Sequence, residues 1–307
     1  MMVNKWKSNF LKMMKERYLG NNFSEKQKNK NTLAVRCGFA ILYFLFLPTA
    51  GAQETPSLGD APTNYQLLFE LNIHATQFTS DKFQNIYYVS PTNEVVKLQY
   101  DGTEQFRFIN KTLGAPAYID ATNPFNLLLF YPDYQNVLTL DRTMNLAGQF
   151  NLFELGIFGL DAVAMAGDGN LWLYDAVNFH LKKIGKEGQT IVQSADLSLE
   201  LNKAIRPNFM LEKDQLVYVN DFKAGILVFD VFGKYLKTLP INGLDRFQVV
   251  GNELLFFHQG RMFSFHLLTL LQNPVLLPQG ITPNDQLRVE KDRLYVLKKD
   301  KLQVYRY

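Results

Sequence analysis

Short runs of apolar and aromatic residues, each preceded by a polar residue, recur along the chain at a nearly constant interval. The six copies begin at Asn85, Asn126, Asn170, Gln215, Glu253 and Arg293. Successive copies are separated by 41, 44, 45, 38 and 40 residues. A period of this size, built on strand-length apolar runs, is typical of propellers in which each repeat forms one blade. The pattern therefore predicts an all-β, six-bladed β-propeller over residues 64–307.

Each repeat divides further into four short strand-like segments. In the first repeat they are residues 75–79, 86–89, 95–100 and 104–109, and Asp101-Gly102 predicts the hairpin before the last one, because glycine adopts the positive φ such turns require. In the fifth repeat, residues 275–277 are expected to form the outer strand after a longer loop. Residues 152–160, 197–204 and 267–271 are expected to hold turns or short helices.

The sixth repeat lacks a fourth strand because the chain stops at Tyr307. Residues 66–71, before the first repeat, form a strand candidate that belongs to no other unit. We expect this N-terminal strand to close the last blade by pairing with residues 302–305, since closure removes an exposed sheet edge. The alternative is an open array with a frayed last blade.

The first 52 residues differ in composition from the rest. Residues 1–31 are polar and basic, residues 38–47 form an apolar run, and residues 50–52 read Ala-Gly-Ala. This order is typical of a signal peptide, here with an extended basic segment and cleavage after Ala52. The apolar run is about half of the roughly 20 residues that a bilayer span needs. An uncleaved membrane anchor remains the alternative. Residues 53–63, with two prolines and one glycine, are expected to be a linker.

The predicted signal peptide, or leader, also changes the charge balance. The formal net charge is +3, but residues 1–52 hold nine basic and two acidic residues, which leaves the remainder near −4. That remainder gives no support for nucleic-acid binding, which requires a concentrated basic face. The one cysteine, Cys37, lies in the leader, so disulfide and thiol chemistry are not expected after it. The sequence thus predicts an exported protein of the periplasm, the outer cell envelope or the exterior.

The third repeat resembles the NHL-type repeat. The residues that carry the resemblance are Gly167-Asp168-Gly169-Asn170-Leu171-Trp172-Leu173-Tyr174-Asp175, with Asn178 and Leu181 beyond them. Residues 80–102 follow the same plan, the fourth copy keeps residues 218–221 and 232–233 of it, and the last two copies are degenerate. The resemblance implies a six-bladed propeller of the NHL or TolB-like kind, a group that includes binding modules, interaction platforms and a few enzymes.

Candidate chemistry is sparse. Six-bladed lactonases of related fold hold calcium on the axis, and calcium requires six to eight oxygen ligands. The inner strands offer Asp120, Asp161 and Asn208, with Asn123 near the end of one, and turn roles explain these residues better. His258 and His266 lie on successive strands and could approach each other, but a satisfied or surface histidine is the favoured interpretation for each. We therefore expect no metal ion, no cofactor and no catalytic residues.

The turns between second and third strands should all open on one face of the disc. Aromatic rings beside carboxylates and amides suit sugar or peptide recognition, because rings supply stacking area and polar tips supply orientation. The candidate ligand-binding residues are Asn93, Asp133, Tyr134, Asp175, Asn178, Phe179, Asp221, Phe222 and Arg261. Ordinary turn chemistry is the alternative for the same residues.

The sequence thus favours a non-enzymatic binding or scaffold module for a partner protein or a glycan of the cell envelope. A calcium-dependent hydrolase or lactonase on the same fold is the alternative, and inner-strand carboxylates around a divalent ion would favour it. A subunit of a larger envelope complex is a third reading, which an uncleaved leader would support.

Overall fold

A computed structural model describes residues 65–307, which belong to one compact unit, Thr63–Tyr307. These residues form six four-stranded antiparallel sheets in a ring, which is a six-bladed β-propeller, as the repeat predicted. The predicted signal peptide, residues 1–52, lies outside the described residues, and so does the predicted linker, residues 53–63.

The strand order follows the sequence repeat. The first strand is β1 (Gln66–Asn72). Blade one contains β2 (Gln77–Ser80), β3 (Ile86–Val89), β4 (Val95–Leu98) and β5 (Glu104–Phe108). Blade two contains β6 (Tyr118–Asp120), β7 (Asn126–Tyr131), β8 (Asn136–Asp141) and β9 (Leu146–Asn151), with a 3-10 turn at Pro132–Tyr134. Blade three contains β10 (Val163–Met165), β11 (Leu171–Asp175), β12 (His180–Ile184) and β13 (Thr190–Gln193).

The short helix α1 (Leu197–Leu201) precedes the second half of the ring. Blade four contains β14 (Pro207–Lys213), β15 (Leu216–Asp221), β16 (Gly225–Asp230) and β17 (Tyr235–Leu239). Blade five contains β18 (Gln248–Val250), β19 (Glu253–His258), β20 (Arg261–His266) and β21 (Gln272–Val275). Blade six contains β22 (Gln286–Glu290), β23 (Arg293–Leu297) and β24 (Lys301–Arg306).

The second strand of each blade coincides with one of the six apolar runs. In β11, every residue from Leu171 to Asp175 is buried. The outer strand of the same blade, β13, is mostly exposed. A strand covered on both faces by neighbouring blades becomes a continuous apolar run, because neither face meets water. This is why the repeat is visible in the sequence as blocks of apolar residues.

The predicted closure is confirmed. β1 pairs antiparallel with β24, and the order within the last sheet is β1-β24-β23-β22. The Lys301 Nζ atom lies 2.6 Å from Glu70 Oε1, so an ion pair joins β1 to β24. The side chains of Phe69 and Leu71 pack on the apolar cluster between blades six and one. Gly102, at φ +89°, sits beneath them, and an added Cβ would lie 3.0 Å from Leu71.

Polar side chains of the inner strands connect consecutive blades. The Met165 amide donates to Asp120 Oδ2 at 2.9 Å, and the Gly167 amide donates to Glu212 Oε1 at 2.8 Å. Gln248 both accepts from the Val289 amide and donates to its carbonyl. These groups are buried, so each bond satisfies a backbone group that would otherwise be costly to leave unpaired.

One segment, the outer strand of blade five, differs from expectation. The outer strand of blade five is Gln272–Val275 rather than residues 275–277. The amides of Leu268 and Thr269 both donate to His266 Nδ1, which closes the loop early. Residues 197–201 form the expected short helix, whereas residues 152–156 form turns. None of the helices within residues 65–307 has the length and apolarity that a bilayer crossing requires.

Candidate functional site

One face of the propeller carries both the turns between second and third strands and the connections between blades. Hydrogen bonds join the two sets: the Leu152 amide donates to the Gln135 carbonyl, Leu197 to Phe179 and Gly243 to Phe222, each at 2.9 Å. We call this surface the turn face. The nine candidate residues of the sequence analysis all lie in or beside these turns. They are Asn93, Asp133, Tyr134, Asp175, Asn178, Phe179, Asp221, Phe222 and Arg261.

The two buried carboxylates among these candidates hold the turns together. Asp175 Oδ1 accepts from the amides of Val177 and Asn178. Asp221 Oδ1 accepts from the amides of Lys223 and Ala224, and its Oδ2 accepts from the Arg206 amide at 2.7 Å. A carboxylate that bonds to amides two and three residues onward fixes the local turn. These two residues therefore have a structural role, whatever else the face binds.

Lys182 makes the Asp175 carboxylate strongly acidic. Its Nζ atom lies 2.7 Å from Asp175 Oδ2, and Asn178 Nδ2 donates to the same oxygen. Burial by itself raises the pKa of Asp175, but the hydrogen bonds from Lys182 and Asn178 outweigh it and lower the pKa to about 2. The ionised form is thus favoured in the folded protein.

We expect Asp175 to contribute to stability at neutral pH. Its folded pKa lies below the unfolded value, so the contribution is present above about pH 4 and is lost as the pH falls towards 2. At pH 7, Asp175→Asn should reduce the free energy of unfolding by about 1–2 kcal/mol. Denaturant unfolding of both proteins at pH 7 and pH 3 measures this. A difference that does not shrink at the lower pH contradicts the prediction, and Asp133→Asn, in an exposed turn, is the control.

The remaining candidates present exposed side chains. Tyr134, on the 3-10 turn of blade two, is 50% exposed, and Phe222 of blade four is 53% exposed. Phe179 is half-buried, with φ at +58°. The exposed polar members are Asn93, Asp133, Asn178 and Arg261. The turn face therefore offers aromatic surface with amide and charged groups around it.

The possible calcium ligands do not converge. Asp120 uses both oxygens on backbone amides, those of Thr122 and Met165. Asp161 pairs with the exposed Arg206 at 3.1 Å. Of the other two candidates, Asn208 donates to the Leu244 carbonyl and Asn123 accepts from the Phe125 amide. Within residues 65–307, no three His, Cys, Asp or Glu side chains are grouped so that they could hold a metal ion.

The two histidines that could have approached each other do not meet. His258 pairs with Arg261 at one end of the β19–β20 hairpin, whereas His266 pairs with Glu253 at the other end. The antiparallel register places the two rings at opposite ends of the blade. Both would have needed to lie at the same end to act together.

The axis is covered at the turn face by side chains that the sequence analysis did not select. The Tyr118 and Phe209 rings, from blades two and four, meet edge to face with centroids 5.5 Å apart. Arg246, from the connection before blade five, lies 5.1 Å from the Tyr118 ring and donates to the Ala117 carbonyl at 2.9 Å. Blades two and five are opposite each other in the ring, so Arg246 reaches across the axis. A depression of about 130 Å³ remains beside it.

A second arginine, Arg288, projects from the inner strand of blade six. The groups that influence it electrostatically include Tyr118 and Asp120 of blade two and Arg246 before blade five. A side chain of blade six can lie near both of those blades only if it points towards the axis. The signal that could have revealed it is the charged residue at the centre of Gln286–Glu290, where an inner strand has apolar neighbours on each side.

No protein-family model matches the chain, and no curated protein matches its sequence. Solved structures resemble its fold. Streptogramin B lyase has a TM-score of 0.55 at 13% identity, and the match covers 78% of this chain and 97% of that chain. The WD40 domain of Neurospora crassa Pan2 has a TM-score of 0.54 at 9% identity, with 79% and 95% covered. Virginiamycin B lyase from Staphylococcus aureus has a TM-score of 0.50 at 12% identity, with 75% and 79% covered.

At these identities the likeness shows the propeller fold alone. By their names, the similar structures are two lyases and one WD40 domain, so the fold does not choose between an enzyme and another kind of module.

Proposed function

We propose that this protein is an exported, non-enzymatic propeller that binds a partner protein or a cell-envelope glycan through its turn face. The observation that supports the proposal is that the turn residues of that face have two different roles. The buried carboxylates of Asp175 and Asp221 are engaged by their own turns, while Tyr134 and Phe222 stay half exposed. What remains available to a ligand is stacking surface with polar groups around it, which suits recognition.

The shape of the face supports an open mode of binding. The axial depression measures about 130 Å³. Pockets that enclose a small molecule usually measure roughly 300–1,000 Å³. A ligand larger than a few atoms would therefore lie across the turns rather than inside the ring. This favours a protein surface or a sugar chain over a small enclosed substrate.

Two further parts of the proposal depend on the sequence. Export depends on the leader pattern of residues 1–52, which are not among the described residues. Membership of the NHL or TolB-like group depends on the repeat residues of blades one, three and four. Both agree with a propeller that works in the cell envelope.

The proposal is tested by cross-linking in the native envelope. Tagged full-length protein is cross-linked in intact cells, and the attached proteins and glycans are identified. Hot-spot aromatic residues often contribute about 2 kcal/mol each. We expect the double variant Tyr134→Ser, Phe222→Ser to reduce recovery of the main cross-linked species by at least about tenfold.

Phe232 provides the matched control. It is 79% exposed and lies in the turn between the third and fourth strands of blade four, on the opposite face. Phe232→Ser should leave recovery unchanged. Equal recovery with the double variant, or recovery of the uncomplexed protein alone, contradicts binding through the turn face.

A further inference from the structure

Arg288 is a partly buried cation that lacks a hydrogen-bonded carboxylate. Its Nε atom is buried and has no partner among the described residues. Only 26% of the side chain is exposed. The guanidinium lies close enough to Tyr118 and Asp120 of blade two to interact with them electrostatically, which places it near the axis. A guanidinium carries five N–H donors, and buried donors left unpaired are costly. The Nε–H group therefore needs an acceptor that residues 65–307 do not supply.

The nearest carboxylates are engaged elsewhere. Glu290 Oε1 lies 3.8 Å from Arg288 Nη2, too far for a hydrogen bond, and it accepts from the Ser80 hydroxyl at 3.2 Å. Both oxygens of Asp120 accept backbone amides. Burial raises the pKa of Glu290 despite the neighbouring guanidinium, which favours its neutral form. Neither carboxylate therefore supplies an acceptor to the Nε–H group of Arg288.

Arg246 adds a second cation near the axis, at the turn face. Its guanidinium spans the axis and bonds to the Ala117 carbonyl and, at 3.4 Å, to Gln77 Oε1. The axis thus has one arginine at its rim and a second below it. Since the two lie within one narrow space, each raises the affinity of that space for an anion.

Strand alternation separates Arg288 from the apolar core between blades five and six. Val289 is buried, and Leu287 packs with it in the core shared by blades five and six. Successive side chains of a strand point to opposite sides. Arg288 is therefore kept out of the apolar core by its neighbours.

We propose that Arg288, near the axis, binds a single small oxyanion, a carboxylate or a phosphate, on its guanidinium. The planar fork of arginine matches two oxygens of either group, which is the geometry of bidentate recognition. The oxyanion would supply the acceptors that Arg288 lacks. This site is separate from the exposed aromatic residues of the turn face, so it stands whether or not that face binds a partner.

Titration calorimetry with inorganic phosphate and with acetate tests the proposal on the full-length protein. Sodium chloride at matched ionic strength is the salt control. We expect saturable binding of at least one oxyanion to the wild type, and the two titrations separate phosphate from carboxylate recognition. The variant Arg288→Met with Glu290→Gln, which leaves no unpaired buried carboxylate, should bind about 10- to 100-fold more weakly.

Arg206→Met is the matched control, since that arginine is 84% exposed and pairs with Asp161 at the rim. It should bind as the wild type does. If the double variant does not fold, Arg288→Lys tests the proposal instead. This variant keeps the positive charge but loses the planar guanidinium fork, so it should bind the oxyanion at least about tenfold more weakly. No binding to the wild type, unchanged affinity in the Arg288 variants, or an effect that sodium chloride reproduces would overturn the proposal.

Discussion

Deleting residues 64–72 should lower the midpoint of thermal unfolding by at least about 10 °C. The deletion removes β1, whose Phe69 and Leu71 pack between blades six and one and whose Glu70 pairs with Lys301. Burying one large apolar side chain contributes about 1.5–3 kcal/mol. For a domain of this size, 1 kcal/mol shifts the midpoint by about 2–4 °C. The exposed edge of β24 should also promote aggregation.

The matched control removes nine residues just upstream, residues 53–61, and leaves β1 in place. Differential scanning calorimetry of the two deletions at several protein concentrations measures the effect. We expect a change of less than about 2 °C for the control. Equal shifts in the two proteins would show that pairing between β1 and β24 does not stabilise the ring.

Trp172→Ala should be the most damaging single substitution, with a loss of about 3–5 kcal/mol. Trp172 is fully buried in the apolar cluster shared by blades three and four. Its Nε1 atom donates to Glu212, and Lys183 Nζ lies 4.8 Å from the ring centroid. The substitution opens a cavity and removes one of the hydrogen bonds that satisfy the buried Glu212.

Chemical denaturation separates these two contributions. Trp172→Phe keeps most of the apolar volume but removes the donor, so it should cost about 1–3 kcal/mol. Phe232→Ala, at a 79% exposed position, should change stability by less than about 0.5 kcal/mol. A loss in Trp172→Ala no larger than in Phe232→Ala would mean that the contact between blades three and four does not limit stability.

The number of blades and the closing strand could both be predicted because each depends on short stretches of sequence. A strand packed on both faces has to be apolar throughout, so each of the six central strands leaves a visible block. The strand at Gln66–Asn72 was recognisable because it had no place in any repeat and the last repeat lacked one strand.

Strand boundaries that depend on hydrogen bonds between side chains and the backbone were harder to predict. Residues 275–277 look like the better strand by composition, yet β21 begins at Gln272. The His266 ring accepts two amides and shortens the preceding loop. Pro274 is tolerated there because an outer strand has one edge without a partner in its sheet.

The candidate site, too, was only partly predictable from the sequence. The sequence placed the nine turn residues on one face, since strand alternation within each repeat determines which turns share a side. It did not distinguish Asp175 and Asp221, whose carboxylates bind their own turns, from the exposed Tyr134 and Phe222. That distinction depends on which backbone amides come within hydrogen-bond distance.

The sequence by itself determined the all-β class, the count of six blades and the partner of the closing strand, because these follow from local apolar patterns and their spacing. Only the tertiary structure decided what lies on the axis. Tyr118, Arg246 and Arg288 come from different blades and are far apart in the chain. Whether these side chains meet depends on how the six sheets are arranged in a ring. The distances between blades cannot be read from the sequence pattern.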